Sequence, residues 1–337
     1  MKRFLLPEEG SFYKANLHSH STVSDGELSP EEMKRVYMDM GYSIIAYTDH
    51  NIMQAHPELS DGQFLALNGY EVDIDEKEPS WDCLREMAYR HRSTHLCLIA
   101  LEPETKQHLF EFYGERLSHL RVRVPGTGDD QWFYKMENLN EAIRQARAAG
   151  FFVTYNHPTW SLEDYSHYSR LEGLNAMEIC NGGSFLAGFD EYNPRVYDDM
   201  LRLGKRIYCI GADDNHNHGD PAHWDSGIAW TVIKAPALEY RAVTKALEAG
   251  HFYASQGPEI HGLWVEDGVL QVRCSEAEKV CFHFGARFTK AVRAGEGESV
   301  TEASVPLDPY YGYVRVTVTD HRGRHANSNA YFIEDIL

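Results

Sequence analysis

Residues 29–50 read Ser-Pro-Glu-Glu-Met-Lys-Arg-Val-Tyr-Met-Asp-Met-Gly-Tyr-Ser-Ile-Ile-Ala-Tyr-Thr-Asp-His, and this stretch indicates the fold class. Its first part predicts a helix, because Ser29 is a good N-cap, a proline follows it, and a glutamate three positions later completes a capping box. Gly41 is a typical helix end. The apolar run at residues 44–47 predicts a strand buried on both faces, followed by a Thr-Asp-His triplet that ends at His50. The unit is therefore helix, glycine, buried strand, and then side chains that can bind metal.

The same order recurs twice further along the chain. Residues 138–149 predict a helix that ends at a glycine, and the apolar run after it leads to Asn-His157-Pro. Residues 194–203 predict another such helix, and the strand after it leads to Asp-Asp214-Asn-His. Alternating helices and buried strands predict a parallel sheet, and polar side chains after successive strands predict a barrel with its site at the carboxyl ends.

Two stretches depart from this order. Residues 102–135 contain prolines, glycines and a helical pattern at residues 109–120, so we predict an insertion over the site. From residue 257 the pattern changes to hairpin turns and period-two alternation, which predicts a small antiparallel, β-sandwich-like module over residues 257–337. Residues 1–256 would form the barrel domain.

Composition and charge narrow the classes of function. The 337 residues are 43% hydrophobic and 25% charged, as in globular proteins, and the formal net charge is −19. Such an acidic chain disfavours nucleic acid and anionic membranes as partners. The first residues lack a signal-peptide pattern, and no apolar run reaches the ~20 residues of a membrane span, so we expect a cytoplasmic protein. The six cysteines form no Cys-x-x-Cys pair, which favours buried free thiols over a disulfide framework.

Nine histidines and acids lie at or next to apolar runs. They are His18, His20, Asp25, His50, Glu71, His95, His157, Asp214 and His216. Histidines two apart on a strand share a face and can reach one ion, although such pairs also occur on surfaces by chance. A converging set of this size is electrostatically costly without cations. Mixed imidazole and carboxylate ligands suit zinc, manganese or iron, and nine are too many for one ion, so we expect two or three divalent metals.

Some of these positions admit a second interpretation. His95 stands at the start of its apolar run rather than at the end, so a core histidine is an alternative to a ligand. Asp49 is expected to orient a ligand or to take a proton, and Glu178 is expected to be structural or to orient a ligand. Between the two adjacent acids before His216, the spacing favours Asp214.

In order and in context, these motifs resemble the PHP (polymerase and histidinol phosphatase) superfamily over about residues 10–255. The resemblance rests on His18-Ser-His20, Asp25-Gly, Thr-Asp-His50, Glu71, His95, Asn-His157-Pro and Asp214-Asn-His216. It implies a distorted (β/α)7 TIM-like barrel with a trinuclear metal site at those nine residues. The Asp-Asp214-Asn-His216 motif and residues 326–333 resemble a branch with a C-terminal β-module.

The resemblance also implies hydrolysis, and we expect a phosphoesterase that acts on a small, anionic phosphorylated metabolite. A hydroxide bridging the metals would attack, with Asp214, His216 or Asp49 in acid or base roles. One departure favours a carboxylesterase or amidohydrolase-type enzyme instead: related nucleotide phosphatases often have Gly-Arg after the His-Pro, and this chain has Thr159-Trp160-Ser161. Trp160, Tyr155 and Phe185 are candidates for an apolar substrate wall or for packing. A non-catalytic binding module is a third alternative, disfavoured by the complete ligand set.

Overall fold

A computed structural model describes residues 2–76, 91–113, 121–124 and 134–337 and shows an α/β fold with a large mixed sheet. The helices are α1 (Pro30–Asp39), α2 (Met136–Ala148), α3 (Tyr165–Tyr168), α4 (Gly182–Leu186), α5 (Pro194–Arg202), α6 (Tyr240–Glu248) and α7 (Ile333–Ile336). The predicted helices at residues 29–40, 138–149 and 194–203 correspond to α1, α2 and α5. At α1 the capping box forms as expected, because Ser29 Oγ accepts the amide of Glu32 at 3.3 Å and the Glu32 carboxylate accepts the amide of Ser29 at 2.9 Å.

The strands are given in two parts along the chain, and the parallel pairs all lie within the first part. The first part contains β1 (Lys2–Phe4), β2 (Ser11–Asn16), β3 (Ile44–Tyr47), β4 (Leu65–Asp75), β5 (Ser93–Ala100), β6 (Glu111–Tyr113), β7 (Arg121–Arg123), β8 (Phe151–Tyr155), β9 (Ala176–Asn181) and β10 (Tyr208–Ala212). The second contains β11 (Trp230–Ala235), β12 (Phe252–Ser255), β13 (Ile260–Glu266), β14 (Val269–Ala277), β15 (Lys279–Phe284), β16 (Thr289–Arg293), β17 (Val300–Pro306), β18 (Tyr313–Thr319), β19 (His325–Ser328) and β20 (Tyr331–Phe332).

The large sheet has the order β10-β9-β8-β5-β4-β3-β2-β11-β12-β19-β18-β15-β16, with β20 beside β18. Strands β2, β3 and β4 are mutually parallel, and so are β8, β9 and β10. Strand β5 lies between these two groups and runs antiparallel to both of its neighbours. The start of β5 therefore lies at the same edge of the sheet as the carboxyl ends of the other six strands.

The structure supports the α/β class, but in the part of the chain that it describes no sheet closes into a barrel. Strand β10 stands at the end of the sheet order, and the link from its end to the end of β2 is an isolated parallel bridge between Ser19 and Asn215. The bridge brings the two ends together at the same edge where the candidate ligands were predicted.

The region after residue 257 is rich in antiparallel strands. A second sheet has the order β1-β13-β14-β17, and an apolar core that includes Leu263, Val272 and Val316 joins it to the large sheet. Strand β1 pairs with β13, and β12 pairs with β19, so hydrogen bonds connect residues 1–256 to residues 257–337. The boundary between two domains at residue 257 stays a prediction.

Two further expectations concern the insertion at residues 102–135 and the cysteines. Within residues 102–135, β6 and β7 form a small antiparallel pair, so residues 111–113 are a strand where we expected helix, and residues 114–120 lie outside the described part. The cysteines at 97, 180, 209, 274 and 281 are free, and the cysteine at 83 lies outside the described residues. No helix among the residues described is long and apolar enough to cross a membrane.

Candidate metal centre

The nine predicted ligands come together at the edge where the parallel strands end. His18 and His20 follow β2, His50 follows β3, and His157 follows β8. Asp214 and His216 follow β10, and Glu71 lies within β4, where it forms a bridge to His50. The position of His95 is explained by the reversed direction of β5, because the start of that strand reaches the shared edge.

Glu71 is the centre of the cluster and is completely buried. Its Oε1 lies 3.1 Å from His18 Nε2, 3.1 Å from His95 Nδ1 and 3.4 Å from His157 Nε2. Its Oε2 lies 3.1 Å from His50 Nδ1 and 3.4 Å from His20 Nε2. One carboxylate therefore has five imidazoles around it, an arrangement suited to a carboxylate shared between cations.

Asp214 is a second carboxylate with several imidazoles close to it. Its Oδ1 lies 3.2 Å from His18 Nε2 and 3.0 Å from His20 Nε2, and its Oδ2 lies 3.7 Å from His157 Nε2. The backbone of Asp214 has a φ of 53°, in the left-handed region that non-glycine residues seldom adopt. Strained backbone of this kind is concentrated at functional sites.

Asp25 and His216 lie at the mouth of the cluster. Asp25 has a side chain that is 40% exposed, and its Oδ1 lies 3.5 Å from His216 Nε2 and 3.8 Å from His20 Nδ1. Its Oδ2 lies 3.7 Å from His50 Nε2. The cluster thus extends from the buried Glu71 to solvent.

Three groups of side chains have donor atoms close enough together to hold a metal ion. They are His20-Asp25-His50-His216, His18-His20-Glu71-Asp214 and His50-Glu71-His95, and the donor atoms within each lie within 4.8 Å of one another. His157 belongs to none of the three but contacts both Glu71 and Asp214.

The polar atoms of the cluster fit bound cations. Within the described part of the chain, His20 Nδ1, His50 Nδ1, Glu71 Oε2 and His95 Nε2 are buried without a hydrogen-bond partner, because the 3.1 Å approach of His50 Nδ1 to Glu71 Oε2 lacks hydrogen-bond geometry. Buried polar atoms are normally satisfied, since leaving one unpaired costs about 1–3 kcal/mol. Four such atoms at one place, all of types that coordinate divalent metals, indicate that the residues fit a metal site.

The pKa shifts within the cluster also fit bound cations. Burial opposes the ionisation of Glu71, yet the imidazoles of His18, His95 and His50 outweigh it and hold the pKa of that carboxyl well below its usual range. Burial likewise opposes the protonation of His157, but Glu71 and Asp214 raise its pKa to about 9. Burial and the neighbouring His20 lower the pKa of His50 to about 3. The buried acids of the cluster thus favour positive charge beside them, which divalent cations would supply.

Glu178 contacts two of the candidate ligands. The Nδ1–H of His18 donates to its Oε1 at 2.8 Å, which turns Nε2 of that imidazole toward Glu71. The backbone amide of His157 donates to the other Glu178 oxygen at 2.8 Å. Carboxylates in this position fix the tautomer and the ring orientation of metal-binding histidines.

Asp49 lies behind the cluster. Its carboxylate accepts hydrogen bonds from the amides of Ser21 and Ser24 at 2.8 and 3.1 Å, and from both of their hydroxyls. These bonds fix the turn that leads from His20 to Asp25. The geometry therefore suits a positioning role for Asp49 better than proton transfer.

Asp213 and Gly183 shape the end of β10. The Asp213 carboxylate accepts the amides of residues 227–229 and the hydroxyls of Tyr37 and Tyr42. A Cβ at Gly183 would lie 2.8 Å from the carbonyl oxygen of Asp214, so only glycine lets α4 approach this closely.

Sequence reasoning did not find three acids near the site. Asp225 accepts the amides of His216 and Asn217 at 2.9 and 2.8 Å. Glu191 is buried beside the turn that follows His157, and Asp73 lines the cavity. Asp225 and Glu191 lie in loops that do not directly follow a strand, so no strand-end signal marks them.

A cavity of about 310 Å³ opens above the cluster. It is lined by Asp25, His50, Glu71, Asp73, His95, His157, Trp160, Gly183, Ser184, Ala187, Asp214, His216, His218 and Asp225. Of the three aromatic residues considered for a substrate wall, Tyr155 is buried packing, whereas Trp160 lines the cavity. Phe185 is 46% exposed on α4, next to the lining residue Ser184.

Comparisons with known proteins gave structural similarity at low sequence identity. No protein-family model and no curated protein sequence matches the chain. A two-domain protein from Bacteroides vulgatus that contains a predicted PHP-like metal-dependent phosphoesterase is 13% identical, with a TM-score of 0.45 over 98% of this chain and 97% of that one. An amidohydrolase from Chromobacterium violaceum, with bound sulfate and no metal, is 18% identical, with a TM-score of 0.39 over 71% of this chain and 96% of that one.

A third solved structure is a candidate metal-dependent phosphoesterase from Bifidobacterium adolescentis. It is 16% identical, with a TM-score of 0.33 over 64% of this chain and 91% of that one. The chain is similar in structure to PHP-like metal-dependent phosphoesterases, and it carries a cluster of His, Asp and Glu residues that could bind metal ions.

Proposed function

We propose that the chain is a metal-dependent hydrolase, and that its reaction is the hydrolysis of a phosphoester of a small metabolite. The observation that carries the proposal is the cluster around Glu71, with nine donor residues and four buried polar atoms that have no hydrogen-bond partner among the residues described. Three donor groups support two or three divalent ions, and the mixed donors suit zinc, manganese or iron. Ions held there would stabilise negative charge developing on the substrate and lower the pKa of a nearby water.

The chain's own residues bind, orient and transfer protons. Glu178 and Asn156 position His18 and Glu71, since Asn156 Nδ2 donates to Glu71 Oε1 at 2.8 Å. We assign proton transfer to Asp214 and His216. The Nδ1 of His216 faces the carbonyl of Asp214 at 3.1 Å, and its Nε2 faces the mouth of the cavity near Asp25.

A second candidate is the hydrolysis of a carboxyl ester or an amide. The turn after His157 carries Thr159 and Trp160 where related nucleotide phosphatases have a phosphate-contacting arginine. Among the residues described, no lysine or arginine lines the cavity. A charged phosphate would therefore depend on the metal ions and on the lining histidines for its recognition, whereas a carboxyl ester would need no further cation.

The scaffold is part of the proposal. A distorted (β/α)7 barrel over residues 1–256 is supported by the contacts between the ends of β2 and β10, where Asp214 N donates to His18 O at 2.9 Å and His20 N donates to Asn215 O at 3.1 Å. Residues 257–337 would form the attached β-module. We further propose a cytoplasmic enzyme with a small-molecule substrate and neither nucleic acid nor a membrane as a partner.

The test is an activity panel with added manganese, iron or zinc. The substrates are phosphate mono- and diesters, carboxyl esters and amides, which separates the two candidate reactions. We expect the double variant His18→Ala/His20→Ala to lose activity and metal, while the control His261→Ala/His321→Ala, which removes two exposed histidines far from the cluster, keeps both. Equal activity in the His18/His20 variant would overturn the proposal.

A further inference from the structure

Trp160 is an exposed aromatic side chain at the wall of the candidate site. It lines the cavity, and 39% of its surface is accessible. The indole packs edge-on against His95 and His157, with ring centroids 5.1 and 4.9 Å away. Its remaining accessible surface is apolar area that water must cover, so binding an apolar group there would be favourable.

The backbone that carries the indole is held in place by a buried carboxylate. Glu191 has no accessible surface, and it accepts the backbone amides of Trp160 at 2.8 Å and Thr159 at 3.2 Å. The side-chain amide of Asn193 donates to the same carboxylate at 2.6 Å. A carboxylate that is buried and satisfied by a loop backbone holds that loop in one conformation, because any rearrangement would leave the charge unpaired.

The α4 side of the cavity leaves room for a ligand. Gly183, Ser184 and Ala187 line it, and none of them has a side chain longer than two heavy atoms. The whole cavity is about 310 Å³, whereas a cavity that holds benzene is about 150 Å³. There is space for one aromatic ring and for the reacting group above the metal-binding residues.

We propose that Trp160 forms an apolar subsite that binds a flat, aromatic part of the substrate next to the bond that is hydrolysed, and that Glu191 is the positioning residue for this subsite. The proposal rests on the proposed function and names its substrate class, an aromatic ester or amide of an acid. It holds for a phosphoester and for a carboxyl ester alike, because the subsite contacts the apolar group and not the acid.

The test compares two pairs of acids that are not hydrolysed. The pairs are phenylphosphonate with methylphosphonate, and benzoate with acetate, and each affinity is measured by isothermal titration calorimetry on metal-loaded protein. We expect the wild-type chain to bind the phenyl member of at least one pair roughly tenfold more tightly than the methyl member. In Trp160→Ala that ratio should fall to about one. Trp264→Ala, which removes a tryptophan from β13, is the matched control and should keep the ratio.

Glu191→Gln tests the positioning role with almost the same side-chain volume. One backbone amide of the turn would face the amino group of the new glutamine instead of an acceptor, so the phenyl-to-methyl ratio should fall while the bound metal, measured by elemental analysis, stays. A wild-type ratio near one, no binding of either pair to metal-loaded protein, or a ratio that survives in Trp160→Ala would overturn the subsite. A chain that binds no metal at all would instead overturn the proposed function, so the two failures are distinguishable.

Discussion

Replacing Glu71 with glutamine is the sharpest single perturbation of the candidate metal centre. The substitution keeps the shape of the side chain and removes its negative charge from the middle of five imidazoles, all within 3.4 Å. A neutral amide oxygen is a poor ligand for zinc, manganese or iron, and it cannot be shared between two cations as a carboxylate can. We therefore expect Glu71→Gln to lose metal.

The size of the loss follows from the three donor groups. Glu71 takes part in two of them, and the third consists of His20, Asp25, His50 and His216. A chain that holds one metal ion in each of the three groups should keep about one of its three ions after Glu71→Gln. Asp25→Asn perturbs the third group alone, so that variant should keep about two of three.

The assay is elemental analysis of purified protein after dialysis against metal-free buffer, with circular dichroism as the check on folding. Glu58→Gln is the control, since that side chain is 61% exposed and lies outside the three groups. A Glu71→Gln variant that is folded and holds as much metal as the wild type would refute the reasoning. So would equal losses in Glu71→Gln and Asp25→Asn, because the groups would then not be separate.

Three further predictions concern the framework around the site. Asp198→Asn breaks a buried ion pair with Arg315 at 2.8 Å and should lower the free energy of unfolding by about 3 kcal/mol in urea titrations at pH 7. Burial opposes the ionisation of Asp198, but the charge of Arg315 outweighs burial and lowers the pKa of Asp198. The ion pair therefore stabilises the fold fully above the unfolded pKa of about 3.9, and this stabilisation is lost as the pH falls through the lower folded pKa. A loss of unfolding free energy in Asp198→Asn that is as large at pH 2 as at pH 7 would contradict this. Gly183→Ala places a Cβ against the Asp214 carbonyl and should cost about 1–3 kcal/mol and reduce bound metal, whereas Gly62→Ala, with open space around it, should do neither. Chelation should lower the melting temperature and added metal should restore it, because each ion adds about 2.7 kcal/mol to the free energy of unfolding at a free concentration of 100 Kd. Identical melting curves with and without metal would exclude a metal that binds the folded state.

The elements of the fold near the site could be predicted where local patterns carry the information. The capping box at Ser29 and the buried run at residues 44–47 are local signals, and they correspond to α1 and β3. The direction of β5 could not be predicted, because an apolar run looks the same in a parallel and in an antiparallel strand. That is why His95 remained ambiguous in the sequence and is explained by the structure.

The candidate ligands could be located from the sequence, but their environment could not. Side chains that follow a strand share a pattern, so most of the nine could be collected before their geometry was known, although Glu71 lies within β4 and His95 near the start of β5. Asp225 and Glu191 have no such pattern, and their importance comes from backbone amides contributed by distant loops. Contacts of this kind depend on how loops fold back over the sheet, which no period in the sequence encodes.

The reversed direction of β5 also limits which changes in chain length the candidate site tolerates. The parallel strands bring candidate ligands to the site at or after their carboxyl ends, whereas β5 brings His95 from its start, where this residue pairs with Asp73 of β4. An insertion or deletion that shifted the pairing of β5 with β4 by one residue would turn His95 to the opposite face of the sheet, away from Glu71.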